Sequence, residues 1–257
     1  MKTQNHLVHI TVSTHEEDAE LLLHILQNIK IIREIQPVRE NRTDLKYHYD
    51  ITQANFDIED IEEIIQQFPI DKKWTWEDIE NPCIFPPDLP FKIEIIDYQI
   101  FIMDPSTRHQ KILTRVSAFM QIYALTHQLG DVYVAPVSLK ISEGVVLKPD
   151  ILYISVHKKK IVKERGLDGA PDLVVEVISK SNYKKLREQK KQLYADFGVQ
   201  EYWEIYPKKK KISIETLAQT ENEKWEYQTF SEATKSGNIK SRVLEGFELT
   251  LEQVFAE

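Results

Sequence analysis

A glutamate interrupts the apolar stretch between Pro171 and Lys180, which reads PDLVVEVISK. The apolar residues around it occupy both odd and even positions, a pattern typical of a strand that is covered on both faces. If the segment is such a strand, Glu176 points into the interior. Because burying an unpaired ionised carboxylate costs several kcal/mol, the pattern predicts a cation or a metal ion beside it.

A lysine lies on the apolar stripe of the helix that the sequence predicts over residues 183–197. Leu186 precedes Lys190 by four residues and Tyr194 follows it by four, so all three share one helix face. A lysine on an inward face is as unusual as a glutamate in a buried strand. Since opposite charges that meet reduce each other's desolvation cost, we expect Lys190 to lie beside Glu176.

An aspartate opens another apolar strand, in the segment KPDILYISV. Proline is common at the first residue of a strand, so Asp150 is expected at a strand end. Two carboxylates from neighbouring strands and a lysine form an arrangement that holds Mg²⁺, with Mn²⁺ as a substitute, and activates water. The alternative is a structural Glu176–Lys190 salt bridge with Asp150 as a turn residue, and the pattern alone leaves both interpretations open.

The composition is that of a folded protein, because 42% of the 257 residues are hydrophobic. No run of about 18 apolar residues occurs, and the N-terminus MKTQNHLVHI has no apolar core, so we expect neither a membrane span nor a signal peptide. The single Cys83 excludes an internal disulfide framework. These features favour a cytoplasmic protein.

Charge is unevenly distributed along the chain, whose formal net charge is −8. Residues 1–90 carry 8 Lys and Arg against 18 Asp and Glu, whereas residues 151–211 carry 15 against 8. The resulting +7 of the second segment suits contacts with phosphates, while the −10 of the first repels them. The basic runs HKKK at 157–160 and KKKK at 208–211 also fit solvated hairpin tips.

Residues 1–70 are predicted to form a small acidic α+β domain with the order β-α-β-β-α. Its helices are expected over residues 16–30 and around residues 58–68. Since nothing in this segment is arranged for catalysis, we interpret it as a regulatory or oligomerising domain, and a homodimer is one such arrangement.

A proline-rich segment, NPCIFPPDLP at 81–90, separates this domain from the rest of the chain. We assign residues 71–90 to a linker and the start of the motif-bearing region, and residues 91–257 to a second domain. There, strands are followed by helices and then by further strands, which indicates a mixed α/β sheet.

Several motifs of the second domain occur together and in order: EIID, STRHQKI, KPDILYI, GAPDLVVEVIS, KKQLYADFGVQEYWEIYP and IKSRVLEGFELTLEQVF. From about residue 74 to residue 257 the chain resembles a large bacterial family of restriction-endonuclease-like proteins, within the PD-(D/E)XK nuclease superfamily. The resemblance implies an α/β fold with a restriction-endonuclease-like mixed central sheet flanked by helices.

The resemblance also implies roles for individual residues. Asp150 resembles the aspartate of the signature and Glu176 its second acid. No lysine stands two residues after Glu176, and the family resemblance implies a lysine from the following helix, which matches Lys190. Glu94 resembles an acid of the first hairpin that completes the metal site, and His109 resembles a histidine at the start of the first long helix.

Three residues depart from the family pattern or compete with it. Tyr98 stands where glycine is usual after EIID, which alters the first hairpin turn. Lys180 replaces a proline, and because it shares a strand face with Glu176 it is a rival for the catalytic lysine. Asp172 shares that face too, but we expect it at the start of the strand.

The leading hypothesis is a Mg²⁺-dependent endonuclease that hydrolyses DNA through Asp150, Glu176 and Lys190. A second hypothesis is a nuclease fold with little or no catalysis that binds nucleic acid or a protein partner, which the acidity of the chain and the displaced lysine favour. A third is that residues 1–70 regulate the rest, by dimerising or by occluding the basic surface.

Overall fold

The structure is a computed structural model that describes residues 9–14, 34–39, 45–50, 72–81, 92–103, 106–178 and 184–256. The chain divides into an N-terminal unit, residues 1–73 with 101–104, and a second unit, residues 74–100 with 105–257. Each unit is described by itself.

The N-terminal unit contains the strands β1 (His9–Thr14), β2 (Glu34–Arg39) and β3 (Leu45–Asp50). They form an antiparallel sheet in the order β1-β3-β2. Three strands were predicted here by the order β-α-β-β-α, and three are present among the described residues of this unit. The helices predicted over residues 16–30 and around residues 58–68 lie outside the described residues, and the domain boundary at residue 70 stays a prediction.

The remaining elements begin with a short helix and a hairpin, followed by a long helix and a series of strands. In chain order they are α1 (Trp76–Glu80), β4 (Lys92–Ile96), β5 (Gln99–Met103), α2 (Thr107–Thr126), β6 (Gly130–Val134), β7 (Leu139–Ser142), β8 (Val145–Leu147), β9 (Ile151–Ser155), a 3-10 helix (Val156–Ile161), β10 (Val162–Lys163), β11 (Gly166–Leu167) and β12 (Leu173–Val177). The C-terminal part consists of α3 (Lys184–Phe197), β13 (Glu201–Tyr206), β14 (Lys211–Gln219), β15 (Trp225–Thr234), β16 (Asn238–Lys240), β17 (Glu248–Thr250) and α4 (Leu251–Phe255).

The turn between β4 and β5 places two residues in the left-handed region. Asp97 has a φ of 52° and Tyr98 a φ of 64°. Two consecutive positive φ values are the geometry of a type I′ hairpin turn, which glycine adopts without steric cost. The structure thus keeps the tight turn although Tyr98 stands where glycine is usual.

The sequence predicts Ser106 or Thr107 as the cap of a long helix, and Ser106 does cap α2, because its side chain accepts a hydrogen bond from the His109 N–H. Its buried residues are Ile112, Leu113, Val116, Met120 and Ala124. The sequence periodicity predicts an inner face made of Ile112, Val116, Phe119, Met120 and Tyr123, and for Phe119 this was wrong, since its side chain is 36% exposed. The buried face follows the spacing 112-116-120-124, and Phe119 lies to one side of it.

The principal sheet has the strand order β15-β14-β13-β12-β9-β6. Strand β12 pairs parallel with β13 and antiparallel with β9, so the sheet is mixed, as predicted. A second sheet, in the order β10-β11-β7-β8-β4-β5, carries the first hairpin. The lysines at 158–160 lie in the 3-10 helix rather than at a hairpin tip, whereas those at 208–210 do form the β13–β14 turn.

The two faces of the principal sheet pack against different helices, α2 on one face and α3 on the other. Leu173, Val175 and Val177 pack with α2 in the main hydrophobic cluster. Because side chains alternate along a strand, Val174 and Glu176 point to the opposite face. Helix α3 contacts that face, and it brings charged side chains into the interior there.

Candidate active site

Glu176 lies in the middle of β12, on the face that α3 covers, and is 4% exposed. The predicted strand and the predicted inward direction of its side chain are both present. Lys190 of α3 is 7% exposed, and its Nζ lies 2.8 Å from Oε1 of Glu176. The structure therefore brings together the two residues whose patterns were anomalous in the sequence.

Glu94, from β4, is the second carboxylate that Lys190 contacts. The Lys190 Nζ donates a hydrogen bond of 3.1 Å to its Oε1, which also accepts a hydrogen bond of 2.8 Å from the Lys148 N–H. Oε2 lies 2.9 Å from the same Nζ but accepts no hydrogen bond from any described residue. Since Glu94 is fully buried, Lys190 is the cation that compensates the charge of both its oxygens.

Asp150 lies between β8 and β9 and is held in place by the backbone of β12. Its Oδ2 accepts a hydrogen bond of 2.8 Å from the Val177 N–H. Its Oδ1 is 3.0 Å from Nζ of Lys92 and 3.4 Å from Nε2 of His109. Three carboxylates from three chain segments, with Lys92, Lys190 and His109, thus form one buried group, which we call the carboxylate cluster.

Two members of this neighbourhood were not predicted to have a role there. Lys92 and Glu94 are two residues apart on β4, so their side chains lie on the same face of the strand. This spacing is the sequence feature that could have predicted Lys92 beside the acids. Tyr194 was predicted only as part of the apolar stripe. Its hydroxyl donates a hydrogen bond of 2.6 Å to Oε1 of Glu176, one helical turn beyond Lys190.

The environment shifts the ionisation of the two acids in opposite directions. Burial raises the pKa of Glu176, and the ammonium groups of Lys190 and Lys92 offset this only in part. Burial would also raise the pKa of Asp150, but Lys92, His109 and the Val177 N–H together hold it well below its usual range. Asp150 therefore stays ionised, whereas Glu176 accepts a proton more readily.

Both lysines of the carboxylate cluster remain protonated at neutral pH. Burial by itself would lower the pKa of Lys190, but the carboxylates of Glu176 and Glu94 raise it above its ordinary value. Asp150, Glu94 and Glu176 likewise raise the pKa of Lys92 despite its burial. The cluster consequently contains permanent positive charges between its acids.

Comparison with known proteins places this arrangement in a family. A family model named Uma2 and described as "Putative restriction endonuclease" matches residues 76–252, more than half of the chain. The chain belongs to the Uma2 family. The predicted relationship to restriction-endonuclease-like proteins is thereby confirmed.

A solved structure supports the fold assignment of this Uma2 member. It is described as "a putative nuclease belonging to DUF820" from Anabaena variabilis ATCC 29413, with 14% sequence identity and a TM-score of 0.54. The similarity covers 70% of this chain and 97% of that chain, so the predicted restriction-endonuclease-like fold is confirmed. The search of curated proteins found no match. In the described part of the chain, no helix is long and apolar enough to span a membrane.

The other predicted residues of the Uma2 chain lie in different places. Asp172 lies at the start of β12, where its Oδ2 accepts a hydrogen bond of 2.7 Å from the Ser155 N–H and its Oδ1 is 3.2 Å from Nζ of Lys158. It takes no part in the carboxylate cluster. Lys180, the rival lysine, lies outside the described residues.

The carboxylate oxygens of the carboxylate cluster are suitable ligands for a divalent cation, although the ammonium groups of Lys92 and Lys190 lie between them. Within the described ranges, no three side chains of His, Cys, Asp or Glu are close enough together to share one ion. The oxygens of Asp150, Glu176 and Glu94 are nevertheless the hard ligands that Mg²⁺ prefers, and Oε2 of Glu94 lacks a hydrogen bond from the described residues. The Uma2 site therefore fits such an ion by its chemistry, provided that an ammonium group moves aside.

Proposed function

We propose that this Uma2 protein is a divalent-metal-dependent phosphodiesterase that cleaves DNA, and that Asp150 and Glu176 hold the metal with support from Glu94. The observation that supports this most strongly is the convergence of three buried carboxylates on two lysines: Glu94 and Glu176 contact Lys190, and Asp150 contacts Lys92. Such a group is costly to bury, since each ion loses its hydration. Strongly perturbed acids with a lysine are also typical of catalytic sites.

The carboxylate oxygens of Asp150 and Glu176 would bind Mg²⁺, or Mn²⁺ in its place. When bound, such an ion lowers the pKa of water and neutralises charge on the phosphate. The chain positions the ligands itself: the Val177 N–H fixes Asp150 at 2.8 Å, and the Tyr194 hydroxyl fixes Glu176 at 2.6 Å.

Lys190 is the proposed catalytic lysine. Its ammonium group is held by Glu176 and Glu94 at 2.8 and 2.9 Å and remains protonated. A protonated lysine does not remove a proton from water, so its proposed role is to orient the attacking water by hydrogen bonding and to stabilise negative charge on the phosphate.

His109 and the basic segment have supporting roles in this proposal. The imidazole Nε2 of His109, at 3.4 Å, is placed to orient Asp150. The segment 151–211, with its net charge of +7, would contact the phosphates of the substrate. Some of its lysines are already paired, as Lys159 with Asp131 at 3.2 Å, whereas Lys160 and Lys210 are exposed. We further propose a cytoplasmic location, and the homodimer stays a prediction.

We expect purified protein to convert supercoiled plasmid DNA to nicked or linear forms in the presence of millimolar Mg²⁺ or Mn²⁺. The reason is that the proposed chemistry needs the ion to activate water. Agarose-gel electrophoresis of time courses measures the conversion, with EDTA and Ca²⁺ reactions as controls. Equal cleavage with EDTA would contradict metal dependence, and absence of cleavage on plasmid, linear and single-stranded DNA would contradict the proposed activity.

The second candidate function is a non-catalytic module that binds nucleic acid or a protein. The observation that favours it is the position of the Lys190 and Lys92 ammonium groups between the carboxylates, as in a structural ion-pair network. DNA binding without cleavage under all metal conditions would support this function over the first.

A further inference from the structure

The ammonium group of Lys92 occupies a fixed position beside Asp150. Its Nζ is 3.0 Å from Oδ1 of Asp150 and 3.8 Å from Oε1 of Glu94, and the side chain is 11% exposed. A hydrogen bond of 2.8 Å to the carbonyl oxygen of Lys148 holds the same nitrogen. Since that carbonyl is uncharged, Lys92 is anchored by more than its attraction to the acids.

Lys92 also changes the charge balance of the carboxylate cluster. When all three carboxyl groups are ionised, as metal ligands are, Asp150, Glu94 and Glu176 supply three negative charges, and Lys92 and Lys190 supply two positive ones. The cluster thus retains one negative charge, compared with two if Lys92 were neutral. A dication is bound less tightly by a cluster that is already largely neutralised.

The two lysines differ in the acids that they neutralise. Lys190 bridges Glu94 and Glu176, whereas Lys92 bridges Asp150 and Glu94. Oδ2 of Asp150 already accepts a hydrogen bond from the Val177 N–H, so a cation that binds Asp150 through Oδ1 approaches the oxygen that Lys92 contacts. We infer that Lys92 is a built-in counter-ion of Asp150, which competes with a divalent cation for this carboxylate and must be displaced before the cation binds. The inference rests on the proposed function, because it takes Asp150 as a metal ligand.

Competition predicts that removing the charge of Lys92 strengthens metal binding. Two positive charges about 4 Å apart repel each other strongly enough at a partly buried site to change affinity by tenfold or more. We expect the Kd for Mn²⁺, measured by isothermal titration calorimetry on the full chain, to fall at least about tenfold in Lys92→Met. In Lys92→Arg, which keeps the charge, the Kd should stay close to that of the wild type.

Lys224→Met is the matched control, because Lys224 is an exposed lysine in the turn between β14 and β15. Its Kd for Mn²⁺ should equal that of the wild type. An unchanged or weaker affinity in Lys92→Met would overturn the inference and leave the proposed function standing. Absence of Mn²⁺ binding by the wild type and by all the Lys92 variants would overturn both.

Lys92→Gln is a second variant for the case that Lys92→Met does not fold. Its amide can still donate a hydrogen bond to the Lys148 carbonyl while the charge is lost. We expect it to bind Mn²⁺ more tightly as well, and to show a larger rise in melting temperature with Mn²⁺ than the wild type. If Lys92→Met folds only after Mn²⁺ is added, the inference is supported, because the ion then replaces the missing counter-ion. If Lys92→Met folds neither with nor without Mn²⁺, the Kd of Lys92→Gln for Mn²⁺ tests the inference instead. A Kd below that of the wild type supports the inference, and an unchanged or higher Kd overturns it.

Discussion

Glu176→Gln is expected to cleave plasmid DNA at least about a hundredfold more slowly than the wild type at saturating Mg²⁺. Glutamine nearly preserves the shape of the side chain but removes the charge that a metal ion and Lys190 both require. Lys190→Met should have a similar effect, because the ammonium group 2.8 Å from Glu176 would be lost. Initial rates from gel time courses at equal concentrations of folded protein measure both effects.

Glu204→Gln is a matched control for loss of a buried charge. Glu204 is the register neighbour of Glu176 on β13 and is 6% exposed. It pairs with Arg187 at 3.2 Å and accepts a hydrogen bond from the Tyr206 hydroxyl, and neither residue belongs to the carboxylate cluster. We expect this variant to lose stability comparably and to keep its cleavage rate within a few-fold of the wild type. Equal losses of activity in Glu204→Gln and Glu176→Gln would contradict a specific role for Glu176.

Glu201→Ala should lower the free energy of unfolding by about 3 kcal/mol or more. Glu201 is fully buried, and its carboxylate accepts hydrogen bonds from the Trp203 indole and Ser241 hydroxyl, both at 2.7 Å, and from the N–H groups of Arg242 and Val243 at 2.6 and 3.0 Å. The substitution leaves these donors without an acceptor and creates a cavity. Urea denaturation at neutral pH measures the loss.

Glu226→Ala serves as the control for Glu201, since Glu226 is exposed on β15, and it should change stability by less than about 0.5 kcal/mol. Because Glu201 lies on the face away from α3, folded Glu201→Ala should retain the cleavage rate. A loss of less than about 1 kcal/mol would contradict the view that this carboxylate holds the segment 241–243 in place.

Periodicity was sufficient to predict the inward positions of Glu176 and Lys190. A charged residue on an otherwise apolar strand or helix face has few physical explanations, and pairing is the commonest of them. The mixed sheet followed from the order of strand-like and helix-like segments. These features depend on the local pattern of apolar and charged residues, which can be read directly from the sequence.

Long-range contacts limited what could be predicted about the rest. Lys92 stands near the start of a strand, where its charge is compatible with solvent, and Asp150 lies 58 residues further along the chain. Glu201 shares the parity of the buried Trp203, yet its partners at 241–243 follow about 40 residues later. Neither pairing leaves a local signature, because it depends on how the strands are arranged in the sheets.

The short strands were also outside the reach of pattern analysis. Strands β10 and β11 have two residues each, too few for alternation to be seen.

On α2, Ile122 and Leu125 are exposed at 64% and 58%, so hydrophobic residues alone did not define the buried face. Packing against the sheet, rather than composition, selected the face with Val116 and Met120.

The anomalous difference density of a crystal soaked with Mn²⁺ tests most directly whether Asp150 and Glu176 hold a metal ion. We expect a peak between Asp150 and Glu176, with metal–oxygen distances of about 2.2 Å to both carboxylates and an altered position of the Lys92 ammonium group. A crystal of protein that cleaves DNA, with a Mn²⁺ peak elsewhere or no peak beside these carboxylates, would contradict the assignment of this cluster as the metal site.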